Sequence, residues 1–236
     1  MANYEGAAPA RVGQLADPRV RSGAGPRAVV VPGAEELFRS LYTGFDIAGG
    51  TSLAVCSAIS GEGKTTISLG LAVAIAQDLP DRRVVVVETD LWRPVLAKDF
   101  GLDIVPGVVD CLLDRQPMSA ALRSTALDNL SFMVAGSAAS NAQQLLRSTR
   151  MPELVAQLRR QFDVVILDTP ATLAHSEVAL LARMVEEVVF VVRTGVTPSA
   201  ELQAALARHQ SSRLRGIVLN DARSAVPGVV RRLVGR

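Results

Sequence analysis

Short runs of consecutive apolar residues alternate along this chain with longer stretches in which apolar positions recur every three or four residues. The runs lie at 52–57, 83–89, 130–135, 164–167, 188–192 and 216–219, and the second contains four consecutive valines, Val84 to Val87. Runs of that length, apolar at successive positions, predict strands covered on both faces. The three-and-four spacing predicts helices. In 34–42, Leu37 and Leu41 fall four apart with Phe38 beside them. Residues 65–76 are apolar nearly all round, and 151–161 set Leu154 and Leu158 against a polar side. Two more helices are expected at 176–185 and 199–209. Strands alternating with helices predict a mostly parallel sheet flanked by helices, because chain reversal between parallel strands needs a crossover. One α/β domain over 34–222 accounts for the pattern. Residues 1–33, rich in Ala, Gly, Pro and Arg without periodicity, are expected to be a disordered tail. Residues 223–236 read as a basic C-terminal tail, with Val229, Val230, Leu233 and Val234 on one side.

The 236 residues are 49% hydrophobic and 20% charged, with a formal net charge of +2, which argues against nucleic acid as a partner. Cys56 and Cys111 lie in apolar stretches without a CxxC spacing, so neither a zinc site nor a disulfide framework is expected. The sequence shows no secretory signal and no apolar run of the ~20 residues that cross a bilayer. A cytoplasmic location follows as the expectation. Lys64 and Lys98 are the only lysines beside many arginines, and one of the two sits in the segment that carries the clearest chemistry.

That segment is Ser57-Ala58-Ile59-Ser60-Gly61-Glu62-Gly63-Lys64-Thr65, between a predicted strand and a predicted helix. It is a phosphate-binding loop of P-loop NTPase type, with Ala58 at the first glycine position. Gly61 and Gly63 let the backbone wrap close to phosphate oxygens, and the N–H groups of Ser60, Gly61, Glu62, Gly63, Lys64, Thr65 and Thr66 are candidate ATP ligands. Lys64 is expected on the β and γ phosphates and the Thr65 hydroxyl on Mg²⁺. Two acids, Glu88 and Asp90, end the valine strand, where ligands of open α/β sheets sit. Either can orient an attacking hydroxyl or water, or hold a metal-bound water. The strand 164–167 runs into Asp168-Thr169-Pro170, a Walker B pattern whose Asp168 holds Mg²⁺ directly or through water. Asn220, at the end of the last strand, reads the adenine edge or caps a turn. Arg93 contacts phosphate or is a surface charge. His175 and His209 stand apart from other ligand-type residues and are expected to be bland, and Trp92 is expected in packing or at a partner contact.

Taken together these segments resemble the bacterial tyrosine kinases of capsule and exopolysaccharide synthesis. The resemblance runs from about Ala34 to Asn220. It rests on the phosphate loop and on Glu88-Thr89-Asp90-Leu91-Trp92-Arg93-Pro94, where the family usually has Asp-Ala-Asp-Leu-Arg-Arg-Pro. Pro106-Gly107-Val108-Val109-Asp110-Cys111-Leu112, Ala135-Gly136, Asn141-Ala142-Gln143-Gln144-Leu145-Leu146 and Asp168-Thr169-Pro170 also match. The resemblance implies ATP and Mg²⁺ as cofactors, with Lys64, Glu88, Asp90 and Asp168 as catalytic residues and Thr65, Asp90 and Asp168 at the metal. It implies a membrane-spanning polysaccharide co-polymerase on a separate chain that recruits the protein to the inner face of the membrane. It also implies a homo-oligomer through 34–42, where Glu36-Leu37-Phe38-Arg39-Ser40-Leu41-Tyr42 resembles the family's Glu-x-x-Arg-x-x-Arg, with Tyr42 in the last place. The family phosphorylates a C-terminal tyrosine cluster, whereas this sequence has only Tyr4 and Tyr42. The related partitioning-type ATPases carry an extra lysine early in the loop, where this chain has Ile59. Three readings follow: a kinase-like regulator of polysaccharide synthesis, an ATP-dependent docking switch, and a partitioning-type ATPase.

Overall fold

A computed structural model describes residues 35–221, apart from 44, 46, 48 and 49. The expected tails, with Tyr4 and the apolar positions of 223–236, lie outside the described residues. The elements are α1 (Glu35–Tyr42), β1 (Thr51–Ser57), α2 (Lys64–Asp78), β2 (Val84–Glu88), α3 (Leu96–Phe100), α4 (Val108–Leu112), α5 (Met118–Ala121), β3 (Leu122–Ser124), β4 (Leu130–Met133), α6 (Ala142–Arg147), α7 (Arg150–Gln161), β5 (Val164–Asp168), α8 (Val178–Arg183), β6 (Glu187–Arg193), α9 (Ser199–Ala207) and β7 (Leu214–Asn220). The strands form one sheet in the order β3-β4-β2-β5-β1-β6-β7, parallel except for β3 against β4.

Each apolar run became a strand, and alternate side chains of a strand enter different cores. Leu53 and Val55 of β1 join Val84 and Val86 of β2 in the core beneath α1 and α2. Ala54, Cys56, Val85 and Val87 point the other way, toward Leu154 of α7, Leu181 of α8 and Ala205 of α9. At the sheet edge β7, expected to be covered on both faces, has only Val218 buried, whereas burial on both faces explains why β1, β2, β5 and β6 carry no polar alternation. It also explains α2, which packs on the sheet and under α1. Phe38 of α1 lies so close to Gly70 that a Cβ there would come within 2.2 Å of the ring. Arg39 and Tyr42 then both bond Asp78 at the end of α2, Arg39 through Nε at 2.7 Å and Tyr42 through its hydroxyl. The Tyr42 ring packs against the same core, so its hydroxyl sits at the rim as its helical position predicts.

The apolar pattern predicts no regular element in 96–129 or 136–149, yet α3, α4, α5, β3 and α6 lie there. Each is three to six residues long, less than two helical turns, so a 3.6-residue period has no room to repeat. Cys56 is fully buried, whereas Cys111 is only half-buried.

Candidate nucleotide site

The loop between β1 and α2 turns at the C-terminal edge of the sheet. Gly61 and Gly63 adopt φ of 81° and 92°, left-handed values open to glycine without strain. At Gly63 there is a second reason: a Cβ would lie 2.2 Å from the Asn220 amide nitrogen. The first α2 bond of the loop runs from Ile67 N–H to the Gly63 carbonyl, and the N–H groups of Ser60 to Thr66 have no protein acceptor among the described residues. A run of unbonded N–H groups at a helix start is a receptor for an anion.

Lys64 enters this hollow from below. Its buried ammonium donates to the Ser57 hydroxyl at 2.9 Å, and Ser57 in turn donates to the Ile59 carbonyl at 2.8 Å. Burial lowers the Lys64 pKa, while Asp168, Asp90 and Glu62 pull it back up. Asp168, at the end of β5, is 3% exposed. It accepts from the Thr65 hydroxyl at 2.7 Å and from Ser68 at 3.1 Å. Burial nevertheless pushes its pKa up to about 6, against the pull of these bonds and of Lys64. The structure therefore brings together Lys64, Thr65 and Asp168 as the sequence predicts, and adds Ser57 and Ser68. Those two were detectable as hydroxyls within an apolar strand and an apolar helix.

The two acids at the end of β2 separate. Glu88 is 1% exposed and turned into the protein. Its carboxylate accepts from Val95 N–H at 2.5 Å, Leu96 N–H at 2.9 Å and Ala135 N–H at 3.0 Å. Burial raises its pKa despite those three bonds. Both oxygens are occupied, so in this conformation Glu88 ties α3 and the end of β4 to β2 and does not present a free oxygen to a substrate. Asp90 is half-buried, and its Oδ1 accepts from Trp92 N–H at 3.2 Å and Arg93 N–H at 3.0 Å. Its Oδ2 accepts no bond among the described residues. Arg93 is exposed, and its guanidinium has no partner among them.

Two further expected ligands work through the loop's backbone. The Glu62 carboxylate faces inward, accepting from Ile59 N–H at 2.6 Å, from Arg193 N–H at 3.3 Å and from the Thr197 hydroxyl. Only the Glu62 N–H can face a phosphate. Asn220 donates to the Glu62 carbonyl at 2.8 Å and accepts from Asp221 N–H at 2.9 Å. That leaves one N–H and one lone pair on its amide for a base edge. Thr66 is half-buried at the rim. Both histidines take part in packing: His209 is buried with Nε2 at 3.0 Å from the Thr172 hydroxyl, and His175 stacks on Trp92.

The raised pKa of Asp168 has a pH signature. The unfolded carboxyl titrates near 3.8 and the folded one near 6, so between those values the folded chain holds more protons. Stability therefore falls as pH rises through that window, and above it the cost of the buried charge is fully present. Asp168→Asn removes the charge and keeps one acceptor oxygen, with the amide nitrogen facing the hydroxyl of Thr65 or Ser68 that loses its acceptor. In the nucleotide-free protein, the melting temperature of this variant relative to wild type should rise from pH 4 to 7. A difference constant across that range would show that Asp168 titrates normally.

Fold and loop define a P-loop nucleotide-binding protein. A protein-family model described as an AAA domain matches residues 51–200. The tyrosine-protein kinase ptk of Acinetobacter johnsonii is 31% identical over 201 residues, which are 83% of this chain and 27% of that protein. The tyrosine-protein kinase YwqD of Bacillus subtilis is 30% identical over 192 residues, 78% of this chain and 80% of that protein. Among solved structures, the kinase domain of the Escherichia coli tyrosine kinase ETK superposes with a TM-score of 0.73 at 25% identity, covering 82% of this chain and 79% of that one. The septum site-determining protein MinD of Pyrococcus horikoshii, complexed with Mg-ADP, shares the fold at a TM-score of 0.60 and 21% identity, covering 78% of this chain and 76% of that one. This chain belongs to the bacterial tyrosine-protein kinase family, within the AAA-domain P-loop proteins. It spans about a quarter of the length of the first of these relatives and four-fifths of YwqD. No helix among the described residues is long and apolar enough to cross a membrane.

Proposed function

We propose that this chain is an ATP-dependent phosphotransferase of the tyrosine-kinase type that regulates exopolysaccharide or capsule synthesis. The observation that carries the reading is the buried Lys64 ammonium, bonded to one neutral hydroxyl, beneath a run of unbonded N–H groups and beside the Thr65–Asp168 pair. A cation and donors without acceptors fit phosphate oxygens, and a hydroxyl paired with a carboxylate fits Mg²⁺. Mg-ATP, when bound, supplies the phosphoryl group for transfer to an acceptor hydroxyl. The N–H groups of Ser60 to Thr66 hold the phosphates, and Lys64 exchanges its bond to Ser57 for one to a phosphate oxygen. Thr65 and Asp168, with Asp90, form the metal side. Asp90 Oδ2 takes the acceptor's proton, Arg93 reaches in from the surface, and Asn220 offers its remaining amide groups to the base. Glu88 serves by holding the turn that aims Asp90. The membrane-spanning co-polymerase partner, recruitment to the inner face of the membrane, and assembly through 34–42 belong to this reading by family membership. Arg39 and Tyr42, two positions of the 34–42 motif, both bond Asp78 within the chain.

The test incubates wild type and Lys64→Ala with γ-labelled ATP and reads free phosphate, protein label and phosphotyrosine. Free phosphate that depends on Lys64 is expected, rising when the partner's cytoplasmic segment is added, with weak or no tyrosine label on the chain itself and any such label on Tyr4. Lys64-dependent binding with neither label nor free phosphate, with or without that segment, would leave only a docking switch.

A further inference from the structure

The loop after β2 and the loop after β5 each follow one of the acids, Asp90 and Asp168, and their side chains meet at one place. The Trp92 indole lies over the His175 imidazole with ring centroids 3.8 Å apart and planes inclined by 23°. Trp92 leaves the Asp90 turn directly: Asp90 Oδ1 accepts the Trp92 N–H, and Leu91 is fully buried beneath it. His175 sits at the far end of the other loop. The near end of that loop is fastened to β1 and the phosphate loop, through Thr172 N–H to the Ser57 carbonyl at 2.9 Å and Leu173 N–H to the Ala58 carbonyl at 3.1 Å. Beyond His175 the loop is fixed by Glu177, which Arg147 of α6 binds at 2.7 Å. At their bases the loops are joined by Thr89, whose N–H and hydroxyl both donate to the Asp168 carbonyl, at 2.9 and 2.8 Å.

We propose that the Trp92–His175 stack is a positioning clamp that holds the Asp90 loop against the loop following Asp168 and so sets the spacing of the two carboxylates. The proposal rests on the assignment of Asp90 and Asp168 to the metal side of the site. Thr89 fixes the loops only at their roots. Asp90 lies one residue further out, at the start of a turn whose next aromatic is the stacked indole. Ala139 N–H to the Leu91 carbonyl at 3.1 Å and the Glu88 bonds still hold the turn, so breaking the stack loosens it rather than freeing it, and leaves Lys64 and the N–H groups of the phosphate loop in place. The predicted defect is therefore confined to what the carboxylates do together.

The experiment measures ADP dissociation constants with and without Mg²⁺ for wild type, Trp92→Ala, His175→Ala, the double variant and His175→Phe. ADP affinity without Mg²⁺ should stay within about twofold in all of them, since the phosphate loop is untouched. The gain in affinity on adding Mg²⁺ should fall about five- to tenfold in each alanine variant and no further in the double, because both remove the same contact. His175→Phe, which keeps a ring for the indole, should recover most of the gain. Trp92 is the only tryptophan, so its emission reports directly whether the stack is lost in the folded His175→Ala protein. A full Mg²⁺ gain in both alanine variants, or losses that multiply in the double, would overturn the clamp. A wild-type protein with no Mg²⁺ gain at all would overturn the metal assignment, and the clamp with it.

Discussion

Lys64→Met is expected to weaken Mg-ATP binding by roughly 2–5 kcal/mol, the range for removing one partner of a desolvated charge pair. Methionine keeps the unbranched stem and its apolar contacts, so the change is confined to the charge. In the nucleotide-free chain that charge is held at a cost: burial lowers the Lys64 pKa, and its one hydrogen bond is to the neutral Ser57 hydroxyl. A phosphate oxygen is a better partner than Ser57, and the surrounding N–H groups lack acceptors until an anion arrives. Binding energy therefore concentrates on this ammonium. Calorimetry with Mg-ATP measures it directly, and thermal melts give a second reading. A bound ligand stabilises the folded chain by RT ln(1 + [L]/Kd), so the upward shift that Mg-ATP gives wild type should vanish in the variant. Equal affinities for the two proteins would remove Lys64 from the site.

The largest effect on stability is expected at Glu88. Glu88→Ala strands two buried N–H groups, on Leu96 and Ala135, and a third on Val95, a residue 37% exposed, all of which the carboxylate now satisfies. An unsatisfied buried donor costs about 1–3 kcal/mol, so a loss of about 3 kcal/mol overall is expected even after water fills part of the gap. For a domain of this size that corresponds to a fall in melting temperature of about 6–12 °C. Glu88→Gln keeps one carbonyl oxygen and should fall about half as far. Glu88→Asp is the sharper variant, because it restores the residue usual in the family while withdrawing the carboxylate by one methylene from donors on two separate elements. It should also destabilise. The alternative role, proton acceptor for an incoming hydroxyl, gives the opposite pattern: Glu88→Gln would melt with wild type and lose turnover. Melting curves beside a turnover assay separate the two.

The phosphate loop, the parallel α/β architecture and the acids at the strand ends were legible in the sequence because each is written in neighbouring residues. A glycine pair before Lys64-Thr65, a run of four valines before Glu88, and an apolar run into Asp168 all state their local geometry within ten positions. A strand covered on both faces needs only consecutive apolar residues, whatever covers it. The short elements between β2 and α7 had no such signature, since a helix of five residues completes barely one turn.

What each polar group does was decided only by the tertiary structure. Thr65 meets Asp168 across 103 positions, Asn220 meets the Glu62 carbonyl across 158, and Glu88 reaches Ala135 across 47. Glu88 and Asp90 look equivalent as two acids at one strand end, yet one points into the core and the other toward the loop mouth. Adjacent strand ends contributed by β2, β4 and β5 settle which carboxylate meets backbone donors and which stays open. Trp92 and His175 likewise gave no sign of each other, being 83 positions apart (175 − 92) on loops that the β2–β5 pairing sets side by side. A side chain's partners depend on where the sheet order puts distant segments. That order is fixed by packing of the whole core, not by any pattern within one segment.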